Sequence, residues 1–261
     1  MPKLAANLTM MFNEVAFLDR FAAAAEAGFK GVEFLFPYDF PPEVIAARLR
    51  DNGLALALFN LPAGDWEGGE RGVASLPGRE ADFDAMLERA LPYVEALRPP
   101  CVHMVAGIPP ADADAGACRA SYLRNLAATA AAVGPLGATA IIEPINPRDM
   151  PGFYLQRQDQ ALALLDAADA PGTALQMDLY HCQIVEGDLA MRIRANIARI
   201  GHFQIAGVPE RHEPDIGEVN YPYLFALIDD LGYQGWIGCE YRPKGTTLDG
   251  LGWAAPYLGG H

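Results

Sequence analysis

Short apolar segments alternate with amphipathic helical patterns along the whole chain of 261 residues. The apolar segments are rich in Val, Ile, Leu, Phe and Ala, a composition typical of buried parallel strands. We predict eight strands, at Leu4–Leu8, Val32–Phe36, Leu54–Asn60, Cys101–Val105, Thr139–Ile145, Ala174–Asp178, Gly201–Ile205 and Trp236–Tyr241. We predict helices between them, at Asn13–Ala27, Pro42–Asn52, Arg79–Leu97, Ala115–Val133, Gln158–Ala168, Leu189–Ile200 and Tyr221–Leu231. Asn13 is the predicted N-cap of the first helix, and Gly28 follows its last residue.

The strict alternation of strands and helices predicts an α/β fold with a parallel sheet, and eight similar units predict its closure into a single (β/α)8 TIM barrel. The chain length is close to the roughly 250 residues usual for such a barrel, so we predict one domain over residues 1–261. A doubly wound open sheet would carry a Gly-rich phosphate-binding turn after an early strand, and the sequence has none. One polar residue lies near the carboxyl end of each predicted strand: Asn7, Glu33, Asn60, His103, Glu143, Asp178, Gln204 and Glu240.

Charge and hydropathy narrow the classes of partner. The net charge is -14, from 33 acidic and 19 basic residues, and it repels nucleic-acid phosphates and anionic lipid surfaces. We therefore expect no nucleic-acid and no membrane partner. No run approaches the roughly 18 apolar residues of a spanning helix, and the first residues lead directly into a predicted strand, so we expect a cytoplasmic protein. The four cysteines are scattered and are predicted to be free thiols.

Acidic and amide side chains end four consecutive predicted strands, at Glu143, Asp178, Gln204 and Glu240. A buried carboxylate costs several kcal/mol unless it is paired or bound to a metal. In a barrel, neighbouring strand ends converge on one rim, so these four side chains are predicted to meet there. Such oxygen-rich ligation favours Mg2+ or Mn2+ over zinc. Each residue alone has an ordinary alternative role, as a solvated acid at a loop edge or as the N-cap of the next helix.

Several segments resemble the xylose-isomerase-like barrel superfamily, and within it the hydroxypyruvate isomerase and 2-oxotetronate isomerase family. The matching segments are Asn7–Phe12, Val32–Pro37, Gly64–Gly72, Ile141–Asn146, Gln176–His181, His202–Ala206 and Gly238–Tyr241, which cover essentially the whole chain. The resemblance implies that Glu143, Asp178, Gln204 and Glu240 are metal ligands. It also implies that Glu143 and Glu240 form the proton-transfer pair.

This implied ligand set is chemically consistent with isomerisation through an enediolate. A divalent metal bound by a carbonyl oxygen and the neighbouring hydroxyl acidifies the C–H between them and stabilises the enediolate formed when the proton leaves. One carboxylate can remove the proton, and an acid can return one to the adjacent carbon. For hydroxypyruvate the product is tartronate semialdehyde. The sequence leaves open which glutamate acts first.

A substrate that carries a carboxylate requires cations or donors beside the acidic rim. His181 and Arg211 match positions that contact substrate oxygens in related sugar epimerases and isomerases, and Arg71 and His103 are further candidates for substrate binding. The alternatives are ordinary: His181 caps a loop, His103 is a hydrogen-bonded core histidine, and Arg211 pairs with the acidic residues next to it. The predicted partner is a small anionic hydroxy-oxo acid.

Other activities remain open at this point. The nearest alternative substrate is 2-oxotetronate, which has one more carbon, and the next is a neutral ketose in a 3-epimerase reaction. A metal-dependent endonuclease uses a similar barrel but needs several histidines for zinc and a basic groove. A non-catalytic ligand-binding barrel has no use for two facing acid/base carboxylates. A homo-oligomer is compatible with the resemblance, because related barrels often pair through loops at the active-site face.

Overall fold

Eight parallel strands form a closed barrel in a computed structural model that describes residues 1–258. Each strand pairs with the next one along the chain, and the last pairs with the first. The strands are β1 (Lys3–Asn7), β2 (Gly31–Phe34), β3 (Ala55–Asn60), β4 (Cys101–His103), β5 (Thr139–Ile142), β6 (Thr173–Asp178), β7 (Ile200–Ile205) and β8 (Trp236–Cys239). The predicted barrel is confirmed.

The helices surround this barrel. They are α1 (Arg20–Glu26), α2 (Pro42–Asp51), α3 (Glu80–Leu97), α4 (Ala115–Val133), α5 (Gln158–Ala168), α6 (Leu179–Val185), α7 (Leu189–Asn196), α8 (Tyr221–Asp230) and α9 (Ala255–Leu258). Phe59 in β3, Phe203 in β7 and Phe225 in α8 are among the largest fully buried side chains, and burial of each stabilises the fold by roughly 1.5–3 kcal/mol. None of the helices in residues 1–258 combines the length and apolar character that crossing a membrane requires.

The first helix begins later than predicted, and Asn13 does not cap it. Phe12 has a left-handed backbone with φ 58°, and its N–H donates to Thr247 Oγ1 at 2.7 Å. Asn13 instead donates to the carbonyl of Met10 at 2.8 Å. A left-handed residue interrupts helical hydrogen bonding, so the chain turns across the barrel rim before a short 3-10 segment at Phe17–Asp19 leads into α1.

Helix α6 was absent from the prediction, and its origin lies in Asp178. The carboxylate of Asp178 accepts a hydrogen bond from the N–H of Tyr180 at 2.7 Å and so caps the helix that begins at Leu179. The helix has seven residues, fewer than a periodic pattern needs to stand out. Its short length brings His181 back over the end of the strand that carries Asp178.

Several strands end earlier than predicted, so two of the candidate glutamates lie just beyond them. β5 ends at Ile142 and β8 at Cys239, which puts Glu143 and Glu240 on the first residue after a strand. Asp178 is the last residue of β6 and faces Gln204 of β7 in the strand register. All four residues therefore belong to the carboxyl-terminal rim, where the loops of a barrel form its active site. The four cysteines are free and buried, as predicted.

Candidate active site

A cavity of about 620 Å3 opens at the carboxyl ends of the strands. All four of the predicted substrate-contact residues line it, together with both candidate acid/base glutamates: Arg71, His103, Glu143, His181, Arg211 and Glu240. Trp66, from the long loop after β3, and Tyr180, from α6, add aromatic surface to its wall. Trp66 and Arg71 both belong to the segment between β3 and α3, so this segment lies over the rim.

Three buried carboxylates lie at the base of this cavity. One ligand atom each from Glu143, Asp178, Glu240 and His181 falls within 4.8 Å of the others. Glu143 and Glu240 are each 5% exposed, and Asp178 is completely buried. Like charges this close and this dry repel one another strongly, because little water screens them.

Burial raises the pKa of each of these carboxyl groups. It raises the pKa of Glu240 to about 8, although Arg211 opposes the shift, and that of Asp178 to about 6. Burial also raises the pKa of Glu143 well above its usual value, and the negative charges of Glu240 and Asp178 raise it further. These groups hold their protons far more readily than exposed acids do unless positive charge is supplied.

Two oxygens of this group are buried without a hydrogen-bond partner among residues 1–258. They are Oε1 of Glu143 and Oδ2 of Asp178. They lie 3.8 and 3.5 Å from Nε2 of His181, so they belong to one cluster, and buried polar atoms are nearly always satisfied by a hydrogen bond or a bound ligand. The Oδ1 of Asp178 caps α6, as one alternative for this residue expected, while its Oδ2 lies 3.5 Å from Nε2 of His181 and 3.8 Å from Nη2 of Arg211.

Arg211 supplies positive charge at the edge of the group. Its Nη2 donates to Oε2 of Glu240 at 2.5 Å and lies 3.8 Å from Oδ2 of Asp178, and its Nη1 lies 3.4 Å from Asp149. The guanidinium also lies over the ring of Tyr180, 5.0 Å from its centroid. Arg211 has a left-handed backbone, with φ 61°, and such strain is tolerated where surrounding contacts fix a functional side chain. Two of the carboxylates that Arg211 contacts, those of Glu240 and Asp178, belong to candidate ligands. All three of its partners are distant in the sequence, unlike the neighbouring acids considered as an alternative.

Gln204 lies on the strand beside Asp178, and its amide is held by hydrogen bonds. Its Nε2 donates to Glu33 at 2.8 Å, and its Oε1 accepts from Nε2 of Gln176 at 2.5 Å. A carbonyl oxygen has two lone pairs, so this oxygen keeps one acceptor position beyond the bond from Gln176. Gln204 is the register partner of Asp178 on the neighbouring strand, so its amide lies beside this acidic group.

The hydrogen bonds around His181 define its tautomer. The N–H of Asp149 donates to Oδ1 of Asn146 at 2.8 Å, so the other end of that amide, Nδ2, faces Nδ1 of His181 at 2.7 Å. Because Nδ2 only donates, Nδ1 accepts, and the neutral ring carries its proton on Nε2. Burial lowers the pKa of His181 well below its usual value, which keeps the ring neutral. A protonated Nε2 cannot bind a metal ion, and it points at Glu143 and Asp178 from 3.8 and 3.5 Å.

These observations test whether a divalent metal fits. The available donors are carboxylate oxygens with unsatisfied positions and the amide oxygen of Gln204, while the nearest imidazole nitrogen is a hydrogen-bond donor. Hard cations such as Mg2+ and Mn2+ prefer oxygen donors of this kind. The positive charge would also relieve the repulsion among the three carboxylates. The residues present fit such a cation.

Arg71 and His103 occupy other parts of the cavity wall. The guanidinium of Arg71 lies 4.2 Å from the centroid of Trp66, and its Nη1 donates to the carbonyls of Trp66 and Glu70 at 2.8 Å. Arg71 forms no ion pair within residues 1–258. His103 contacts Oδ1 of Asn60 at 3.2 Å, and burial lowers its pKa to about 3, so it is a neutral donor or acceptor in the cavity.

The fold and this acidic rim define a class of protein, and the chain belongs to the xylose isomerase-like TIM barrel family, whose model matches residues 21–257. Two similar relatives are named isomerases. A 2-oxo-tetronate isomerase of Cupriavidus necator is 60% identical over 99% of this chain and 100% of that protein. The hydroxypyruvate isomerase of Escherichia coli is 44% identical over 98% of this chain and 100% of its own.

A solved structure carries a different name. A crystal structure from Brucella melitensis, titled AP endonuclease, family 2, superposes with a TM-score of 0.96 at 49% identity and covers 98% of this chain and 99% of that one. Structures named as sugar 3-epimerases match with TM-scores between 0.70 and 0.77 at 17–22% identity, which shows a shared fold alone.

Proposed function

We propose that this protein is a metal-dependent isomerase that moves the carbonyl group between C2 and C3 of a small 2-oxo-3-hydroxy acid. The observation that carries the proposal is the group of buried carboxylates, Glu143, Asp178 and Glu240, with two unsatisfied oxygens at the base of an open cavity. The family and the names of the relatives at 44–60% identity support it.

The identities favour 2-oxotetronate over hydroxypyruvate as the substrate. The 60% identical relative is named for the four-carbon acid, and the 44% identical Escherichia coli protein is named for the three-carbon acid. The cavity of about 620 Å3 has ample room for either molecule. Both acids undergo the same rearrangement, so one mechanism serves both.

Glu143 and Glu240 are proposed to carry the substrate proton. One carboxylate removes the proton from C3, and an enediolate forms as the C3 electron pair moves toward C2 and its oxygen. A proton is then returned to C2, and the hydroxyl proton on O3 moves to O2, so that the product is an isomer. Glu143 directly follows β5 and Glu240 directly follows β8, so the two carboxylates reach the cavity from different strands.

The proposed metal ligands are Glu143, Asp178, Gln204 and Glu240. When bound, Mg2+ or Mn2+ supplies positive charge to the two substrate oxygens as negative charge develops there. His181 is proposed to donate its Nε2–H to a substrate oxygen instead of binding the metal, since Asn146 occupies its other nitrogen. Its substrate-binding role is thus based on the tautomer.

Arg71 is proposed to bind the substrate carboxylate. Arg211 already faces Glu240, Asp178 and Asp149, whereas within residues 1–258 Arg71 donates only to backbone carbonyls and keeps its charge for a ligand. Its stacking on Trp66 fixes the guanidinium plane before the substrate arrives, which reduces the entropy lost on binding. Arg211 is proposed to contact the substrate oxygen nearest to Glu240, and His103 to line the opposite wall.

The test is a coupled assay of purified protein with 2-oxotetronate, hydroxypyruvate and psicose, before and after chelation. We expect turnover of the two acids, its loss after verified metal removal, and its return with Mn2+ or Mg2+. Full activity in protein shown to be metal-free would refute metal dependence. Turnover of psicose alone would instead identify a ketose epimerase.

The name of the Brucella melitensis structure calls for incision of abasic DNA in the same series. A net charge of -14 opposes DNA binding, and the acidic group contains one histidine, which is not available as a ligand. We therefore expect no incision under conditions in which the acids are turned over.

A further inference from the structure

A second polar network lies inside the barrel, directly beneath the acidic group. Glu33 of β2 is completely buried, and three side chains form hydrogen bonds with its carboxylate, two of them as donors. Asn7 and Gln204 donate to Oε1 at 2.9 and 2.8 Å, and Nε2 of His202 contacts Oε2 at 2.7 Å. Both oxygens of this buried carboxylate are therefore satisfied, which is the condition under which a charge is stable in a core.

The side-chain amide of Asn7 has only one possible orientation in this network. The backbone N–H groups of Thr9 and Met10 both point at Oδ1 of Asn7, at 3.0 and 3.3 Å. The Nδ2 group must then face the interior, where it contacts Glu33 and also Oε1 of Glu240 at 3.3 Å. Asn7 thus links Glu33 to one of the proposed acid/base residues.

Glu33 also decides which way the amide of Gln204 faces. An ionised carboxylate only accepts hydrogen bonds, so it selects the NH2 end of Gln204 and turns the carbonyl oxygen away from itself. Space for this arrangement is provided by Gly238 of β8, where any side-chain carbon would overlap the Glu33 carboxylate. The glycine and the glutamate therefore require each other.

We propose that Glu33 is a positioning residue for the metal centre. It fixes the carbonyl oxygen of Gln204 as a ligand and, through Asn7, fixes the carboxylate of Glu240. The inference rests on the proposed function, because it concerns how the proposed ligands are oriented. Residues that orient metal ligands typically contribute about 10–100-fold to metal affinity.

The experiment measures Mn2+ binding by calorimetry and by electron paramagnetic resonance in the wild-type protein and in Glu33→Gln. The substituted side chain has the same shape but offers one acceptor oxygen to its three partners, so Gln204 loses its fixed orientation. We expect Mn2+ affinity to fall about 10–100-fold. Thermal melts of the metal-free proteins show whether the fold survives.

A control substitution tests orientation separately from the loss of a buried carboxylate. Glu186→Gln makes the same change at a glutamate whose side chain is buried and pairs with Arg157 and Arg192, outside the acidic group. We expect its Mn2+ affinity to stay within about threefold of the wild type. An equal fall in affinity in both variants overturns the positioning role.

The possible outcomes separate this inference from the proposed function. Wild-type protein that does not bind Mn2+ removes the proposed metal centre itself. Wild-type protein that binds Mn2+ and a folded Glu33→Gln protein of equal affinity overturn the positioning role alone. If Glu33→Gln does not fold, Gly238→Ala keeps all the polar residues and displaces the carboxylate by overlap, and unchanged Mn2+ affinity in that variant also overturns the inference.

Discussion

Glu33 in β2 and Glu143 after β5 both lie on the carboxyl side of barrel strands and both are buried, but their carboxylates have different surroundings. Three side chains form hydrogen bonds with the two oxygens of Glu33. Within residues 1–258, Oε1 of Glu143 accepts no hydrogen bond, and Glu240 and Asp178 are among its charged neighbours. Both oxygens of Glu33 therefore have hydrogen-bond partners, whereas one oxygen of Glu143 has none among these residues.

This difference distinguishes a structural carboxylate from one that is available to bind a ligand, which burial alone does not. A buried acid whose two oxygens both have hydrogen-bond partners is already stabilised and holds those partners in fixed positions. A buried acid with a free oxygen and like-charged neighbours gains most from a proton or a cation. In this barrel, the hydrogen-bonded carboxylate of Glu33 lies beneath the group formed by Glu143, Asp178 and Glu240.

Replacement of a glutamate in the open group gives the largest expected effect. Glu240→Gln removes a proposed proton carrier and a ligand, so we expect kcat to fall by at least about 10²–10⁴-fold. The assay is turnover of 2-oxotetronate with saturating Mn2+, with circular dichroism to verify the fold. Asp166→Asn, the same change in an exposed ion pair with Arg199, should leave kcat unchanged. Near-normal turnover in Glu240→Gln would contradict the proposed role of Glu240 in proton transfer and metal binding.

Loss of Arg211 tests how far the open group depends on its resident positive charge. Arg211→Ala leaves Glu240 and Asp178 without their pairing cation, so we expect metal-free protein to lose about 3 kcal/mol of unfolding free energy. Saturating Mn2+ should reduce that loss, because it supplies charge to the same carboxylates. Urea denaturation with and without Mn2+ measures both values.

The matched control for that experiment is Arg148→Ala. Arg148 also lines the cavity, but its nearest carboxylate, Asp149, lies 4.0 Å away at an exposed position. We expect a change within about 0.5 kcal/mol. Equal losses in the two variants would show that Arg211 does not compensate the buried group.

The pH dependence of stability sharpens the same contrast in metal-free protein. The pKa of Asp178 is raised to about 6 and that of Glu240 to about 8 in the folded state, so the folded protein holds protons that the unfolded chain has released. Their contribution to stability is complete below about pH 4 and is lost as pH rises toward 8, by up to about 1.4 kcal/mol per pH unit for each group.

Denaturation at pH 5, 6, 7 and 8 checks this prediction. Glu240→Gln should flatten the curve between pH 6 and 8, since the group that releases its proton there is gone. Saturating Mn2+ should also flatten it, because the cation stabilises the ionised form. A wild-type stability that falls no more steeply than that of Glu240→Gln between pH 6 and 8 would contradict the raised pKa of Glu240.

The smallest expected effect concerns substrate binding outside the carboxylate group. Arg71→Leu should raise KM for 2-oxotetronate about tenfold through loss of a charge-assisted contact, with kcat and Mn2+ affinity nearly unchanged. Arg89→Leu is the matched control, because Arg89 stacks on Tyr38 at 4.9 Å and does not line the cavity. A large fall in kcat without a change in KM would assign Arg71 a different role.

Much of the fold could be predicted from sequence because the hydrophobic pattern follows the strand and helix periods directly. The eight strands and the position of Asp178 at the end of one of them follow from that pattern. The short helix α6 does not, because its seven residues are too few for a periodic pattern to stand out. The failed cap at Asn13 does not either, because it depends on the bond between Phe12 and Thr247, which are 235 positions apart and leave no local signature.

For the site, the sequence was enough to predict candidate residues but not to identify their hydrogen-bond partners. Glu143, Asp178 and Glu240 were brought together as predicted, whereas the metal-binding role of Gln204 stays a prediction. Asn146 was part of a recognised segment, but its role in setting the tautomer of His181 required the bond from Asp149 that orients its amide. Amide orientation and tautomer are properties of a hydrogen-bond network, which a linear pattern does not contain.

By itself the sequence determined that polar residues end the strands of a barrel, because alternating apolar segments fix which residues are buried and which follow a strand. Only the tertiary structure decided that Glu33 is surrounded by donors and Glu143 by other carboxylates. The physical reason is that the energy of a buried charge depends on the atoms within a few ångströms of it. Those atoms come from strands that are distant in the chain and adjacent only in the closed barrel.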